Sequence, residues 1–326
     1  MTDLDIANYE ARQARKNEEA DKLLGLYFPV LDQGFISLVD YMGNDAAIAQ
    51  AARCSYGPGT RTINDDSALI RYLVRHKHTS PLEQVELKFH CKMPIFVARQ
   101  WVRHRTASLN EMSGRYSIMP LQFYTPAEES FKLQSKDNKQ GRDDNTLEAG
   151  LHKGFVAATK TIRNNIQKHY VECLTYDVAR EIARIDLPLS TYTEWYWKMD
   201  LHNLMHFLRL RCDGHAQWEI RQYANIIAGM VKVVVPASYR AWMDYTFGAR
   251  SFSRVDCQLL EEAARTGKSP TEEKALALGL SKREWKEFID KTSYNGQVPD
   301  FTLDLSQAKT PQYFREQAEA CVPEIK

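Results

Sequence analysis

The sequence lacks the features of membrane, secreted and disulfide-stabilised proteins. Its 326 residues contain no apolar run long enough to cross a bilayer. The first residues, MTDLDIANYEARQARKNEEADK, are polar and acidic, without the apolar stretch of a secretory signal. The six cysteines lie far apart and form no CxxC pair, so neither a disulfide framework nor a cysteine zinc site is expected. We therefore expect a cytoplasmic protein with reduced thiols and no membrane partner.

An excess of charge of one sign is also lacking. Lysine and arginine together number 43 against 42 acidic residues, which gives a net charge of +1. A protein built to hold nucleic acid usually carries a basic excess, so no nucleic-acid partner is expected. The glycine-rich turn of a Rossmann unit and the P-loop signature are missing too, so neither of those nucleotide sites is predicted.

The pattern of apolar residues predicts an α+β fold, because helices mix with a few strands without regular alternation. Strands are predicted at FISLVDYM, VELKFHC and STYTEWYW. Helices are predicted at GNDAAIAQAARCS, NDDSALIRYLVRHKH, PIFVARQWVRH, residues 146–176, DVAREIARIDLP, DLHNLMHFLRLRC, HAQWEIRQYANIIAGMVKVVVP and SKREWKEFIDK. We expect a helical lead-in over 1–30, one mixed α/β domain over 31–250 and a helical C-terminal extension over 251–326. The polar, aperiodic stretch at about 127–145 is expected to be a mobile surface insertion.

Positive charge is concentrated in the segment RQWVRHRTASLNEMSGRYS, residues 99–117. Clustered arginines repel one another unless an anion lies between them, which indicates a phosphate-bearing small molecule, a nucleic acid or a solvated surface. Arg103, Arg105 and Arg115 are suited to bidentate phosphate contacts. Ser108, Ser113 and the Gly114 amide are small donors that let an anion approach the backbone, whereas Glu111 either pairs with an arginine or accepts from a base or sugar hydroxyl. The alternative is a solvated helix end.

A second basic cluster lies in LRLRCDGHAQWEIR, residues 208–221. It contains Arg209, Arg211, His215 and Arg221, beside Gln217 and Glu219. Burying an arginine next to the apolar HFL segment is costly without a partner, so Arg211 is a candidate for contact with a ligand. The alternative is that Arg211 pairs with Asp213 or Glu219.

The histidines permit a metal hypothesis. His202 and His206 lie four residues apart on a predicted helix, and His76 and His78 lie two apart. Two histidines at i and i+4 can share a metal ion. The spacing supplies no third ligand, so stacking or hydrogen-bonding histidines are favoured and no metal is predicted.

Two linked motifs identify a family resemblance. Arg103-His104-Arg105, seven further residues and then Ser113-x-Arg115 resemble the signature of the flavin-dependent thymidylate synthases. Further resemblance lies in HKHTSPLEQVELKFHCKMPIFVARQW, EIARIDLPLSTYTEWYW and LMHFLRLRCDGHAQWEIRQYA, and it runs in order over about residues 35–247.

The resemblance implies an enzyme that methylates the uracil C5 of deoxyuridylate (dUMP) to give thymidylate (dTMP). Methylenetetrahydrofolate would supply the one-carbon unit, and bound FAD, reduced by NADPH, would supply the hydride. Residues 31–250 would form the catalytic domain of a homotetramer in which FAD lies where subunits meet. Such enzymes use no cysteine nucleophile, so Cys212 is expected to be a packing residue. The alternatives are a nucleotide-binding flavoprotein without methylation activity and flavin-dependent methylation of uracil in RNA.

The resemblance also assigns residues to the nucleotide. Arg211 would be the catalytic residue, contacting the uracil and favouring its N3-deprotonated form, since a fixed cation stabilises charge on the pyrimidine. Arg184 would bind phosphate in a neighbouring subunit's site. Ser113 would bind rather than attack, because a serine without a neighbouring base is a poor nucleophile. The residues matched to dUMP positions are Gln100, Trp101, Val102, Arg103, Glu111, Met112, Ser113, Gly114, Arg115, Arg184 and Arg211.

A second set of positions is matched to the flavin. The residues are Ser55, Ser80, Glu83, Arg103, His104, Arg105, Asn110, Glu111, Asp200, Leu201, His202, His206 and His215. His78 matches a position on the folate side of the pocket. The cofactor would supply the redox chemistry while the protein supplies orientation and charge.

Overall fold

The computed structural model describes residues 17–55, 65–136, 141–293 and 295–325. The chain divides into two compact units: unit 1 comprises residues 1–238 and 301–326, and unit 2 comprises residues 239–300. This division differs from the predicted extension over 251–326, because the last residues belong to unit 1. The predicted lead-in lies largely outside the described residues, and its described end contains a strand as well as a short helix.

Unit 1 is built on a five-stranded antiparallel sheet in the order β1-β2-β3-β7-β4. The strands are β1 (Tyr27–Val30), β2 (Gly34–Met42), β3 (Glu86–Pro94), β4 (Ser108–Glu111) and β7 (Tyr192–Asp200). The three predicted strands correspond to β2, β3 and β7 and are confirmed. β4 was not predicted, since its four residues are all exposed and have no apolar face.

The thirteen α-helices among the described residues include the eight that the sequence predicts individually. They are α1 (Glu18–Asp21), α2 (Asp45–Arg53), α3 (Asp66–Arg75), α4 (Ile95–Trp101), α5 (Ala149–Thr175), α6 (Arg180–Ala183), α7 (Leu201–Arg211), α8 (Trp218–Val234), α9 (Pro236–Trp242), α10 (Arg254–Thr266), α11 (Glu272–Ala277), α12 (Lys282–Thr292) and α13 (Pro311–Glu319). Asn44, Asp65 and Asp200 cap α2, α3 and α7 by accepting backbone N–H groups. None of the described helices is long and apolar enough to span a membrane. A mixed α/β chain with a helical C-terminal region is thus confirmed.

The core of unit 1 lies on one face of the sheet. Alternate β3 residues such as Phe89 are fully buried, as the period of two in VELKFHC predicts. Trp101, at the end of α4, packs edge-on against Trp195 and Trp197 of β7, with ring centroids 5.6 and 5.2 Å away, and it stacks on Phe207 of α7 at 5.1 Å. This aromatic cluster fixes the ends of α4 and α7, from which the arginine-rich loop and Arg211 project.

The polar stretch at about 127–145 corrects the prediction of an aperiodic loop. Its described residues contain a 3-10 turn (Glu128–Ser130) and two paired strands, β5 (Lys132–Gln134) and β6 (Arg142–Thr146). The hairpin requires no apolar alternation, because its strands satisfy each other's backbone groups on the surface. The Leu147 N–H donates to the Phe131 carbonyl and closes the hairpin at its base, 2.9 Å apart.

The C-terminal residues of unit 1 pack on its sheet. Lys309 and Tyr27 exchange two backbone hydrogen bonds of 2.8 and 3.1 Å. Phe314 of α13 contacts Phe35 of β2 with ring centroids 4.8 Å apart. Gly229 of α8 lies so close to this segment that a Cβ there would be 2.8 Å from Leu303.

Unit 2 is helical and has its own small core. Leu259, Ala275, Leu280 and Phe288 are buried together. Reciprocal hydrogen bonds between the N-cap serine and the third helical residue start both α10 and α12. The helix predicted at SKREWKEFIDK is confirmed as α12.

Candidate functional site

The end of α4 and one face of α7 enclose a cavity of about 360 Å³. This volume lies within the range of about 300–1,000 Å³ usual for small-molecule sites. The lining residues are Arg103, His104, Arg105, Thr106, Met199, Asn203, His206, Leu210 and Arg211. The two predicted basic clusters, about a hundred residues apart in sequence, therefore meet at one cavity.

Arg211 is held by two hydrogen bonds. Its Nε–H donates to Nε2 of His104 at 3.0 Å, and its Nη2 donates to the carbonyl oxygen of Gln100 at 3.2 Å. Arginine carries five N–H donors, so the rest of the guanidinium is left for a ligand. Burial lowers the pKa of Arg211 from its ordinary value.

His104 is the neutral partner in this contact. Burial first, and then the positive charge of Arg211 and the nearby His206, lower the pKa of His104 from 6.5 to about 4. Because Arg211 donates to Nε2, that nitrogen must be unprotonated and the proton lies on Nδ1. At neutral pH, His104 therefore acts as a fixed acceptor for Arg211.

The alternative pairing of Arg211 with Asp213 or Glu219 is wrong. Asp213 accepts from His215 at 2.8 Å. Glu219 is buried and pairs with Arg142. Both carboxylates are thus engaged by other side chains, and no carboxylate among the residues that the structure describes pairs with Arg211 at the cavity.

Two further cations at the cavity have no carboxylate either. Arg103 and Arg105 are exposed, and within the described ranges neither forms an ion pair. Guanidinium groups held close together without an intervening anion are electrostatically unfavourable, so a bound phosphate or other anion would stabilise this arrangement.

Four other predicted nucleotide contacts lie beyond the far end of β4. The added Cβ of a residue at Gly114 would lie 3.1 Å from Cδ of Arg184, so glycine allows the arginine stem to approach. Arg115 Nε pairs with Glu181 of α6 at 3.0 Å. Ser113 Oγ accepts from the Arg115 N–H at 3.3 Å. The four residues of β4, which span about 13 Å of strand, lie in the chain between this group and Arg103–Arg105.

The remaining nucleotide candidates differ in what their side chains can reach. Trp101 is fully buried, so only its backbone is available, whereas Val102 is exposed. Glu111 accepts from Thr193 Oγ1 at 2.5 Å, and the Met112 N–H donates to the carbonyl of Glu194 at 2.8 Å. Glu111 thus accepts from a hydroxyl, and it forms no ion pair with an arginine of the described ranges.

The predicted flavin contacts are spread over several elements. Asp200 caps α7 and Leu201 is fully buried, so neither side chain is available for a ligand as it stands. His206 lies 6.2 Å from His104, ring to ring, and lines the cavity, whereas His215 is exposed beside Asp213. The other candidates, all at least partly exposed, are Ser55, Ser80, Glu83, Asn110 and His202. His78, which the sequence predicts on the folate side, stacks on Tyr72 with ring centroids 5.9 Å apart.

Some lining residues were missed in the sequence. They are Thr106, Met199 of β7, and Asn203 and Leu210 of α7. Asn203 and Leu210 lie at helical spacing on either side of His206, a predicted flavin contact, so this face of α7 was detectable by periodicity. The described residues include no group of three histidines, cysteines or acidic residues that could hold a metal ion.

The fold and the site define an antiparallel-sheet protein with a cavity lined by three arginines. A family described as thymidylate synthase complementing protein matches residues 37–237. Flavin-dependent thymidylate synthase of Treponema denticola is 49% identical over 271 residues, 83% of this chain and 98% of that protein. The enzyme of the same name from Thermus thermophilus is 49% identical over 274 residues, 84% of this chain and 98% of that protein.

A solved structure shares the fold. The UMP/dUMP methylase PolB from Streptomyces cacaoi, bound with 5-Br UMP, superposes with a TM-score of 0.60 at 30% identity, covering 67% of this chain and 97% of that one. The chain belongs to the thymidylate synthase complementing protein family. Its relatives that are named flavin-dependent thymidylate synthase agree with this assignment.

Proposed function

We propose that this protein is a flavin-dependent thymidylate synthase that converts dUMP to dTMP. The observation that carries the proposal is Arg211, a half-buried cation held by His104 at a cavity it shares with Arg103 and Arg105. The names of the relatives support the same activity. In addition, the structural neighbour is described as acting on UMP and dUMP.

Arg211 is the proposed catalytic residue. A guanidinium with no carboxylate partner interacts most strongly with a ligand that carries negative charge. On the uracil ring it would favour the N3-deprotonated form and stabilise the charge that develops when C5 and C6 react. His104 keeps this cation in place without neutralising it, because a neutral imidazole accepts the Nε–H and adds no charge.

The cationic cavity fits a flavin dinucleotide in its chemistry. Arg103 and Arg105 offer donors to phosphates, while His104 and His206 offer imidazole rings beside them. FAD, when bound and reduced by NADPH, supplies the hydride for the new methyl group. Methylenetetrahydrofolate is the proposed carbon donor, and His78 is proposed to lie on the folate side of the pocket. Residues 31–250 would then form the catalytic domain.

A homotetramer with shared sites is proposed from the separation of the two cationic groups. Arg103–Arg105 and the group around Arg184 lie on either side of β4 in the chain, which supports a site whose dUMP contacts come from more than one subunit. Ile182, Ile185 and Leu189 flank Arg184 and have exposed fractions of 55%, 67% and 62%. Exposed apolar side chains grouped in this way are typical of an interface. Association of two subunits at this face would place Arg184 of one subunit in the dUMP site of the other.

The experiment is reconstitution of the reaction with purified protein. The protein should be yellow, should bleach on addition of NADPH with dUMP, and should form dTMP when methylenetetrahydrofolate is present. Arg211→Ala should abolish methylation and leave flavin largely bound. Arg209→Ala, which removes a charge from the same helix outside the cavity, should retain methylation. Colourless protein that takes up no added FAD would refute the proposal, and full turnover by Arg211→Ala would refute the role of this residue.

A further inference from the structure

A chain of hydrogen bonds leads from the surface hairpin to Gln100. Glu219, the second residue of α8, is 2% exposed and accepts from three side chains. Tyr124 donates to its Oε1 at 3.2 Å, Gln217 donates to its Oε2 at 2.9 Å, and Arg142 donates to Oε1 as well. Gln217 in turn accepts from the side-chain amide of Gln100.

Arg142 supplies the countercharge for this buried carboxylate. It is the first residue of β6, and its guanidinium also donates to the carbonyl of Ser130 at 3.0 Å and lies 5.7 Å from the ring of Trp218. A buried carboxylate is tolerated only when it is paired and hydrogen-bonded, so Arg142 makes an ionised Glu219 possible here. The β5–β6 hairpin is therefore tied to α8 through one arginine.

The charge on Glu219 sets the direction of both amides. An ionised carboxylate can only accept, so Gln217 must turn its NH₂ group toward Glu219 and its oxygen toward Gln100. Gln100 must then turn its own NH₂ group toward Gln217. Within the described part of the chain, the side-chain oxygen of Gln100 receives no hydrogen bond, and this oxygen is left to accept from a ligand.

Gln100 also lies directly beside the catalytic candidate. Its carbonyl oxygen accepts from Arg211 Nη2 at 3.2 Å. The direction of its side chain thus determines whether the nucleotide meets an acceptor or a donor next to Arg211.

We propose that Arg142 is a positioning residue for the nucleotide site: through Glu219 and Gln217 it makes Gln100 present its amide oxygen to dUMP. The inference rests on the proposed function, since it requires that dUMP binds beside Gln100. Without the arginine, Glu219 would be a buried carboxylate that lacks this countercharge, and the arrangement that determines the direction of the two amides would be destabilised.

The test compares Arg142→Met with Arg163→Met. Arg163 is a matched control, because it also fastens surface structure, through hydrogen bonds to Thr125 and the Tyr124 carbonyl, but does not contact Glu219. For Arg142→Met we expect the Kd of dUMP, measured on the flavin-loaded protein, to rise about tenfold, the value of one lost hydrogen bond to a ligand. KM for dUMP should rise with it and kcat should change less than twofold. Arg163→Met should lower Tm without changing Kd.

Two further variants keep the proposal falsifiable if Arg142→Met folds poorly. Glu219→Gln retains the shape but lets either amide direction occur, so it should raise the Kd of dUMP as well. In a Gln100→Ala background, Arg142→Met should change Kd by less than twofold, because the effect passes through Gln100. An undiminished effect in that background, or equal Kd changes for Arg142→Met and Arg163→Met, would overturn the inference. Failure of the unsubstituted protein to bind dUMP would instead overturn the proposed function.

Discussion

Replacement of His104 by leucine tests how Arg211 is held. The variant removes the acceptor of the 3.0 Å hydrogen bond from Nε while retaining an apolar side chain beside Phe207. A hydrogen bond to a charged group contributes about 1.5–3 kcal/mol, and the half-exposed site places this one at about 1.5 kcal/mol. Since about 1.4 kcal/mol corresponds to a factor of ten, we expect kcat/KM for dUMP to fall about tenfold.

The same substitution should change the pH dependence of stability. The pKa of His104 is about 4 in the folded protein against 6.5 for an ordinary histidine. The unfolded chain therefore binds the proton more readily than the folded protein. The stability that the neutral His104 contributes to the fold is fully present above pH 6.5 and is lost as the pH falls toward 4. The full difference between these two pKa values corresponds to about 3 kcal/mol of unfolding free energy. Solvent screening at this half-exposed group reduces the figure to about 1–2 kcal/mol. The free energy of unfolding of His104→Leu should lack this part of the acid dependence.

The assay combines dTMP formation, flavin content and urea unfolding at several pH values. His104→Gln is the conservative comparison, because its amide oxygen can accept from Arg211, and it should recover most of the lost kcat/KM. Flavin content is measured separately, since His104 is also a proposed flavin contact. If His104→Leu, with full flavin content, turned over within twofold of the unsubstituted protein, the positioning of Arg211 by His104 would be refuted.

Three other substitutions test the thiol, the C-terminal segment and the proposed interface. Cys212→Ala should retain dTMP formation, since this thiol is buried and burial raises its pKa; complete loss of activity would indicate a thiol mechanism. Gly229→Ala should lower the free energy of unfolding by about 1–3 kcal/mol, measured in urea, because its Cβ would lie 2.8 Å from Leu303. Gly150→Ala, with no atom within 4 Å of an added Cβ, should not be destabilising. Ile185→Glu should dissociate the proposed tetramer in light-scattering measurements, and an unchanged mass would argue against an interface at this residue.

The elements that could be predicted from sequence are those with a strong apolar period. VELKFHC alternates over the length of β3, and α2 and α3 carry capping residues where the sequence indicates them. β4 could not be predicted, because an exposed edge strand has no buried face to impose alternation. The β5–β6 hairpin was missed for a similar reason: surface strands paired only with each other are defined by backbone hydrogen bonds, which composition does not encode.

The candidate site was predictable in its charges and not in its pairings. The two arginine clusters were visible as local excesses of positive charge in a nearly neutral chain. The partner of Arg211 was not visible in the sequence. The nearby carboxylates Asp213 and Glu219 were the obvious candidates, whereas the actual partner, His104, lies 107 residues away. Long-range pairings of this kind depend on how α4 and α7 pack, and that packing rests on aromatic contacts between separate elements, among them Trp101 with Trp197 and Phe207.

The cavity unites these observations through one electrostatic argument. The two acidic side chains in the second basic cluster, residues 208–221, each pair with a residue other than Arg211. Asp213 pairs with His215, and Glu219 pairs with Arg142. If either carboxylate paired with Arg211, the cation would be neutralised and would gain little from an anionic ligand. A neutral histidine holds the guanidinium in place and leaves its charge unchanged. The arrangement therefore favours a ligand that brings its own negative charge, as a nucleotide does.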